Sequence, residues 1–227
     1  MKKHIPSHQR KKFEEERARR ILSYIYPEKY IDAVLSESPD IINKDVNVGT
    51  EVTTSLRSFI QESLSRASHI TGKTASELTE IDRANIKGNR VFVSTWPDGS
   101  YVAGTPGYWG NEFDFQKIYE QKLEKLNSKH FQKFSENNLF IFAWLVDTQE
   151  LQSAINYFIT CSNEITRQSL NYYYDLIFIF SGSSLIEIKN NDHFFIEHDI
   201  PKEVMHDISH LSFKTIFGMT KEEFYKQ

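Results

Sequence analysis

The chain has 227 residues, a hydrophobic content of 39% and a formal net charge of −4 at pH 7. This length and apolar content predict a globular domain with a sizeable core, and the 17 Phe and 11 Tyr argue against a disordered chain. No apolar run approaches the roughly 20 residues of a membrane span, so we expect no membrane partner. The single cysteine, Cys161, excludes an internal disulfide and favours a reducing compartment.

The N-terminal segment Met1–Pro6 is basic and lacks the apolar stretch of a signal peptide, which predicts a cytoplasmic protein. Basic residues stay dense as far as Arg20, and such a density can meet a phosphate backbone. The alternative is a solvated helix face, because three glutamates, Glu14–Glu16, lie among these cations.

The first predicted element is a helix from about Gln9 to Tyr26, where apolar residues recur at helical spacing and Pro27 ends the pattern. Tyr30–Leu35 stays ambiguous between a short helix and a turn. Pro39–Asn43 and Val48–Thr54 are rich in β-forming residues and predict two strands joined by a tight turn.

The middle of the chain alternates further between helical and strand patterns. Ser58–Ile70 has helical periodicity, and Arg90–Ala103 predicts a hairpin around the turn Pro97–Gly99. A long amphipathic helix is predicted over Phe113–Phe134. The short, almost wholly apolar Leu139–Val146 is typical of a central strand that is buried on both faces.

The last third continues this alternation and completes the predicted domain. Its predicted elements are a helix over Leu151–Leu170, a buried strand over Asp175–Ser181, a hairpin of Leu185–Ile188 and Phe194–Glu197, and short helices near Lys202–Leu211 and Lys221–Tyr225. Such an order favours a layered α/β domain around a mixed sheet flanked by helices. We therefore predict a single α/β domain over residues 1–227, with its core at about 11–188 and a terminal hairpin and helices at 189–227.

Two acidic residues lie on the predicted strand pair. Asp40 begins the first strand and Glu51 lies within the second, so antiparallel pairing through the short turn would bring their carboxylates together. Because side chains alternate along a strand, Glu51 and Thr53 share one face and Val52 points to the other. Carboxylates and a backbone carbonyl are oxygen ligands that suit Mg²⁺, and phosphodiester hydrolysis requires such a cation. The alternative is a turn role for Asp40 and a cross-strand ion pair for Glu51.

The strings Pro39-Asp40-Ile41-Ile42 and Gly49-Thr50-Glu51-Val52-Thr53 resemble the signature of the PD-(D/E)xK, or restriction-endonuclease-like, superfamily of metal-dependent nucleases. They are most similar to bacterial and phage members in which Pro-Asp is followed by Gly-Ile-Glu-Val-Thr. Two further features extend the likeness over about residues 11–188. They are the string Lys12-Phe13-Glu14-Glu15-Glu16 and a later helix with spaced lysines, Lys122 and Lys125, ahead of an apolar strand.

The resemblance implies a restriction-endonuclease-like core with an inserted hairpin and a nuclease activity that uses Mg²⁺ or Mn²⁺. It implies nucleic acid as the partner, DNA before RNA, and a role in phage or mobile-element defence or counter-defence. It further implies that Asp40 and Glu51 hold the metal, with the Val52 carbonyl as another ligand. A homodimer stays open at this stage.

The chain departs from the superfamily pattern at Thr53, which stands where a lysine is usual. A threonine cannot supply positive charge beside an attacking hydroxide. In some superfamily members a lysine from a neighbouring helix takes this role, so Lys122 and Lys125 are catalytic candidates, with exposed helix lysines as the alternative. Arg57 and Gln61 are candidates for part of the role of the missing lysine.

Glu14 lies on the apolar side of the first predicted helix, where a carboxylate needs a partner. It is either a third acid of the metal site or the partner of a core-facing arginine, with Glu15 as a second candidate. Thr53 also leaves room for a different hypothesis. In that case the chain is a catalytically inactive nuclease fold that binds a macromolecule, such as a protein partner, as an inhibitor or adaptor.

Overall fold

The computed structural model describes residues 7–55, 58–88, 90–104, 115–144, 146–165, 170–189 and 194–226. The described residues form two compact units. The larger one contains the residues up to Ser55 and those from Phe115 onward, and the smaller one contains the residues between Leu56 and Asp114. The larger unit carries a mixed sheet flanked by helices, so the predicted α/β class is confirmed.

The elements follow the predicted alternation of helices and strands. The first part of the chain forms α1 (Ser7–Ile25), α2 (Pro27–Tyr30), β1 (Val34–Leu35), β2 (Ile41–Asn43), β3 (Val48–Thr54), α3 (Ser58–Ile70), α4 (Glu80–Lys87), β4 (Phe92–Thr95) and β5 (Tyr101–Gly104). The second part forms α5 (Phe115–Asn127), β6 (Glu136–Phe142), α6 (Thr148–Ile165), β7 (Leu176–Ser181), β8 (Ser184–Lys189), β9 (Phe195–Asp199), α7 (Lys202–Phe217) and α8 (Lys221–Lys226).

The sheet of the larger unit has the strand order β1-β2-β3-β6-β7-β8-β9. Its centre is parallel, because β6 pairs in parallel with both β3 and β7. The outer strands are antiparallel. In the β2–β3 pair Ile41 lies opposite Thr50, and one more step along this register places Asp40 across from Glu51. The fold thus brings the two predicted acids to neighbouring strands, as the sequence predicts.

Both faces of the central strands are buried, which explains their nearly continuous apolar sequences. On one face, aromatic side chains from alternate positions of β6 and β7 pack against α1 and α7. This core cluster includes Ala18, Ile21, Leu22, Phe140, Phe142, Phe178, Phe180, Met205 and Ile208. On the other face α5 and α6 meet through Tyr119 and Phe158, whose ring centroids are 5.4 Å apart.

Tyr30 resolves the segment that was ambiguous in the sequence. It ends α2 with a buried side chain, and its hydroxyl lies 2.9 Å from Thr50 Oγ1 and accepts a 2.9 Å hydrogen bond from Asn138 Nδ2. A buried hydroxyl needs such partners. Tyr30 therefore ties α2 to β3 and β6, and the chain that follows is free to form the short edge strand β1.

The predicted helix over Phe113–Phe134 is shorter in the structure, where α5 ends at Asn127. The Asn127 side chain donates to the Tyr172 carbonyl at 2.9 Å and accepts from the Tyr172 amide at 3.2 Å. This pairing with a neighbouring backbone competes with continuation of the helix. Residues 113 and 114 lie outside the described part of the chain.

Gly49 is a point of close backbone packing beside Asp40. A Cβ atom on Gly49 would lie 2.6 Å from Phe134 Cδ2 and 2.7 Å from Pro39 Cγ. We expect Gly49→Ala to destabilise the protein by about 1–3 kcal/mol, because the added methyl group must displace both rings. Urea denaturation measures the loss. Gly104→Ala is the control, since its Cβ would meet nothing within 4 Å, and equal losses in both variants would contradict this account.

The smaller unit contains α3, α4 and the β4–β5 hairpin, which is the hairpin predicted as an insertion. Its core is formed by Ala67, Ile70 and Val91. Sequence periodicity did not predict α4. This short helix begins at a capping box in which Thr79 and Asp82 bind each other's backbone amides.

Asp82 is expected to make the smaller unit sensitive to acid. Burial opposes its charged form, but hydrogen bonds from Lys73 and Thr79 outweigh burial and lower the pKa of Asp82 below its usual 3.8. A carboxyl group whose pKa is lowered on folding adds stability above its unfolded pKa and loses it as the pH falls through the folded value. Hydrogen exchange of the α4 amides should be faster in Asp82→Asn than in wild type at pH 7.

The difference in α4 exchange between wild type and Asp82→Asn should shrink as the pH falls below 3.8. Glu80→Gln provides a control on an exposed acid of the same unit. A gap between Asp82→Asn and wild type that stays constant through this range would mean that the Lys73–Asp82 ion pair, at 2.8 Å, contributes no pH-dependent stability.

Candidate functional site

Asp40 is fully buried at the start of β2 and is bound from two directions. Its Oδ2 accepts a 2.8 Å hydrogen bond from the Val52 amide of β3. Its Oδ1 accepts a 3.2 Å hydrogen bond from Lys11 Nζ of α1, and the same ammonium group lies 3.1 Å from Glu15 Oε1. Asp40 therefore joins the sheet to α1, and Lys11 bridges two carboxylates.

Glu51 lies on the opposite face of β3 from Val52 and is only 1% exposed. Its Oε1 accepts hydrogen bonds from Lys122 Nζ at 2.7 Å and Lys125 Nζ at 2.5 Å. The two lysines are three residues apart in α5 and so share one helix face. The structure thus places both sequence-predicted lysines on Glu51. Lys122 Nζ also lies 3.5 Å from the Val52 carbonyl oxygen.

The second carboxylate oxygen of Glu51, Oε2, differs from Oε1 because it has no hydrogen-bond partner among the described residues. This oxygen is buried. A buried carboxylate oxygen normally has a partner, and each exception calls for a reason such as an ion or water at that position. The free oxygen therefore fits a ligand that supplies positive charge or a hydrogen-bond donor.

Tyr174 holds α5 in place beside these acids. Its hydroxyl donates a 2.9 Å hydrogen bond to the Lys122 carbonyl. Burial raises the pKa of Tyr174, and the negative charges of Glu51 and Asp40 raise it further, so the phenol stays protonated. The Tyr174 side chain is buried.

The charges around the two acids are balanced among the residues that the structure describes. Three buried carboxylates, Asp40, Glu15 and Glu51, are matched by Lys11 together with the two α5 lysines. Burial opposes the charged form of Lys11, but Asp40 and Glu15 outweigh burial and raise the pKa of Lys11 above its ordinary value. Burial, and then the Asp40 charge, raise the pKa of Glu15.

Glu15, and not Glu14, is the α1 glutamate that lies with Asp40. Burial raises the pKa of Glu14, while Arg10 and Arg17 lower it. The Arg17 guanidinium lies 4.9 Å from the centre of the Trp144 ring. Of the two alternatives open for Glu14 in the sequence, the influence of Arg10 and Arg17 on its pKa favours the arginine partner. The predicted face of α1 is buried through Ala18, Ile21 and Leu22, and the buried face also includes Glu15.

The donor set for a cation is small. No group of three or more His, Cys, Asp and Glu side chains that could hold a metal occurs within the described segments. Asp40, Glu51 and the Val52 carbonyl nevertheless fit Mg²⁺, which is usually bound through one or two carboxylates and keeps several of its own waters. The unpartnered Glu51 Oε2 is the observation that favours this fit.

No protein-family model matches the chain, and neither a curated protein nor a solved structure does. Among the described helices none combines the length and apolar character that crossing a membrane requires. What the chain does must therefore be inferred from the contacts of its own residues.

Two contributors to the site were not predicted as site residues, and the side chains of two predicted candidates lie outside the described residues. Lys11 carries a local signal, since it stands one helical turn before Glu15, where a lysine and a glutamate can pair. Tyr174 carries none, because its partner Lys122 is 52 residues away in the chain. Arg57 and the side chain of Gln61 lie outside the described residues.

Proposed function

We propose that this chain is a metal-dependent nuclease whose site is formed by Asp40 and Glu51. One observation carries the proposal, namely that Asp40 and Lys122, a partner of Glu51, both contact the backbone of Val52. Its amide binds Asp40, and its carbonyl faces the Lys122 ammonium group that binds Glu51. Two carboxylates and a carbonyl gathered around one residue form an oxygen site of the kind that Mg²⁺ or Mn²⁺ uses in phosphodiester hydrolysis.

Each residue has a defined part in this proposal. Asp40, Glu51 and the Val52 carbonyl would hold the cation. When bound, the cation supplies activation of water and neutralisation of phosphoryl charge. Lys122 or Lys125 would provide, from beside the bound cation, the positive charge that Thr53 cannot, since both side chains reach Glu51 from one face of α5. Glu15 replaces Glu14 as the third acid, and it acts through its contact with the Lys11–Asp40 pair.

Nucleic acid, DNA before RNA, is the proposed substrate. The basic N-terminal part of α1 begins next to the site, because Lys11 binds Asp40 directly. Lys12 is exposed and can meet a phosphate. Arg19 and Arg20 contribute less, since both pair with Glu16 inside the larger unit.

A cleavage assay with four substrates tests this proposal. Linear duplex DNA, circular duplex DNA, single-stranded DNA and single-stranded RNA are incubated with Mn²⁺, with Mg²⁺ or with EDTA. We expect at least one substrate to be cut with Mn²⁺ and none with EDTA. Asp40→Asn should remove the activity and the exposed Asp32→Asn should keep it. Absence of cleavage on every substrate with both metals would overturn the nuclease proposal.

A second candidate function is supported by the balance of charges. Because three ammonium groups neutralise the three buried acids, the site can remain folded without a metal. Together with Thr53, this favours an inactive nuclease fold that binds a macromolecule. That function predicts binding of nucleic acid or of a protein that is unchanged by EDTA, with no cleavage.

A further inference from the structure

The two α5 lysines contact Glu51 in different ways. Lys122 Nζ lies between the Glu51 carboxylate and the Val52 carbonyl, two of the groups that would hold the metal, at 2.7 Å from Glu51 Oε1 and 3.5 Å from the Val52 oxygen. Lys125 Nζ reaches the same Glu51 oxygen at 2.5 Å, but its other contact is with the Phe131 ring, 5.9 Å to the ring centre. Of the two lysines, only Lys122 contacts two of the proposed metal ligands, Glu51 and the Val52 carbonyl.

A divalent cation cannot simply be added to this arrangement. Among the described residues three acids and three lysines already balance, so an incoming cation adds two positive charges beside Lys122. Like charges a few ångströms apart repel strongly where water is excluded. An ammonium group located between the same oxygens must therefore leave them when the cation binds.

We propose that the Lys122 ammonium group and a divalent cation are alternative occupants of the Glu51–Val52 oxygen pair, so that Lys122 sets the metal affinity of the site. This inference rests on the proposed metal site. The Lys122 side chain can move while α5 stays in place. Its backbone carbonyl is held by Tyr174, and its ammonium group lies at the end of a flexible four-carbon chain. The Lys122 side chain is 21% exposed, so a path toward solvent is open to it.

Mn²⁺ affinity, measured by calorimetry, distinguishes Lys122 from Lys125. Lys122→Met and Lys125→Met each remove one positive charge from the same carboxylate oxygen, so they are matched variants. We expect Lys122→Met to bind Mn²⁺ about tenfold more tightly than wild type and Lys125→Met to gain clearly less. An equal or larger gain for Lys125→Met, or weaker binding by Lys122→Met, would overturn the inference.

Chemical labelling of lysines in the wild-type protein gives a second readout that needs no variant. Mn²⁺ should raise the rate of reductive methylation of Lys122, read by mass spectrometry, and leave that of Lys125 nearly unchanged. If Mn²⁺ binds and Lys122 labelling does not rise, the exchange is disproved while the metal site stands. If Mn²⁺ binds to none of the three proteins, both the metal site and the exchange are disproved. Exchange without cleavage would contradict the nuclease proposal alone.

Discussion

Glu51→Gln is expected to abolish Mn²⁺-dependent cleavage while the chain keeps its fold. Glutamine has the same shape and can still accept from Lys122 and Lys125, but it cannot supply a charged oxygen to a cation. Loss of a group that stabilises developing charge commonly costs about a thousandfold in rate, and loss of a metal ligand should cost at least as much. Initial rates on the substrate that wild type cuts best measure the effect.

The control for Glu51→Gln is Glu37→Gln, which changes an exposed acid only a few residues from Asp40 in the chain. It should cut at the wild-type rate. Unfolding transitions in urea confirm that both variants remain folded. A Glu51→Gln protein that cuts within a few fold of wild type would remove Glu51 from the chemistry and leave its ion pairs as structural contacts.

The combined variant Lys122→Met, Lys125→Met is expected to lose about 3 kcal/mol of stability. Glu51 is fully buried, and removing the partners of a buried charge typically costs about 3–5 kcal/mol. The lower value applies because the side chains of both lysines are partly exposed, 21% and 36%, so their ion pairs are weakened by water. Urea denaturation in the presence of EDTA measures this loss in the free energy of unfolding.

Adding Glu51→Gln to this double lysine variant should restore most of the lost stability, because no buried charge then remains at that position. Lys129→Met, on an exposed lysine, is the control and should stay close to wild type. If the double lysine variant is as stable as wild type, or if Glu51→Gln destabilises it further, Glu51 is not held by these lysines in solution.

The local parts of the fold could be predicted from the sequence. The first and last residues of β3 and α3 were predicted correctly, since the pattern of side chains changes clearly at both ends of each element. The approach of Asp40 to Glu51 follows from a tight turn between two short strands, which fixes the register of the pair. Short-range rules were sufficient for these features.

The remaining parts depend on contacts between distant segments. Lys122 and Lys125 are 71 and 74 residues from Glu51, and no periodicity places them there; only the resemblance to a nuclease superfamily suggested these residues. Glu15 was ranked behind Glu14 because a helical pattern does not show that Asp40 and Lys11 meet beside Glu15. The early end of α5 depends on Tyr172, 45 residues beyond Asn127.

Electron paramagnetic resonance of Mn²⁺ added to wild type, Asp40→Asn and Glu51→Gln is the most direct measurement of the metal site at Val52. The free aqueous signal reports unbound ion. We predict that wild type removes Mn²⁺ from solution stoichiometrically and that each variant leaves the ion free. Equal uptake by wild type and both variants, or no uptake by wild type, would contradict a metal site built by these two acids.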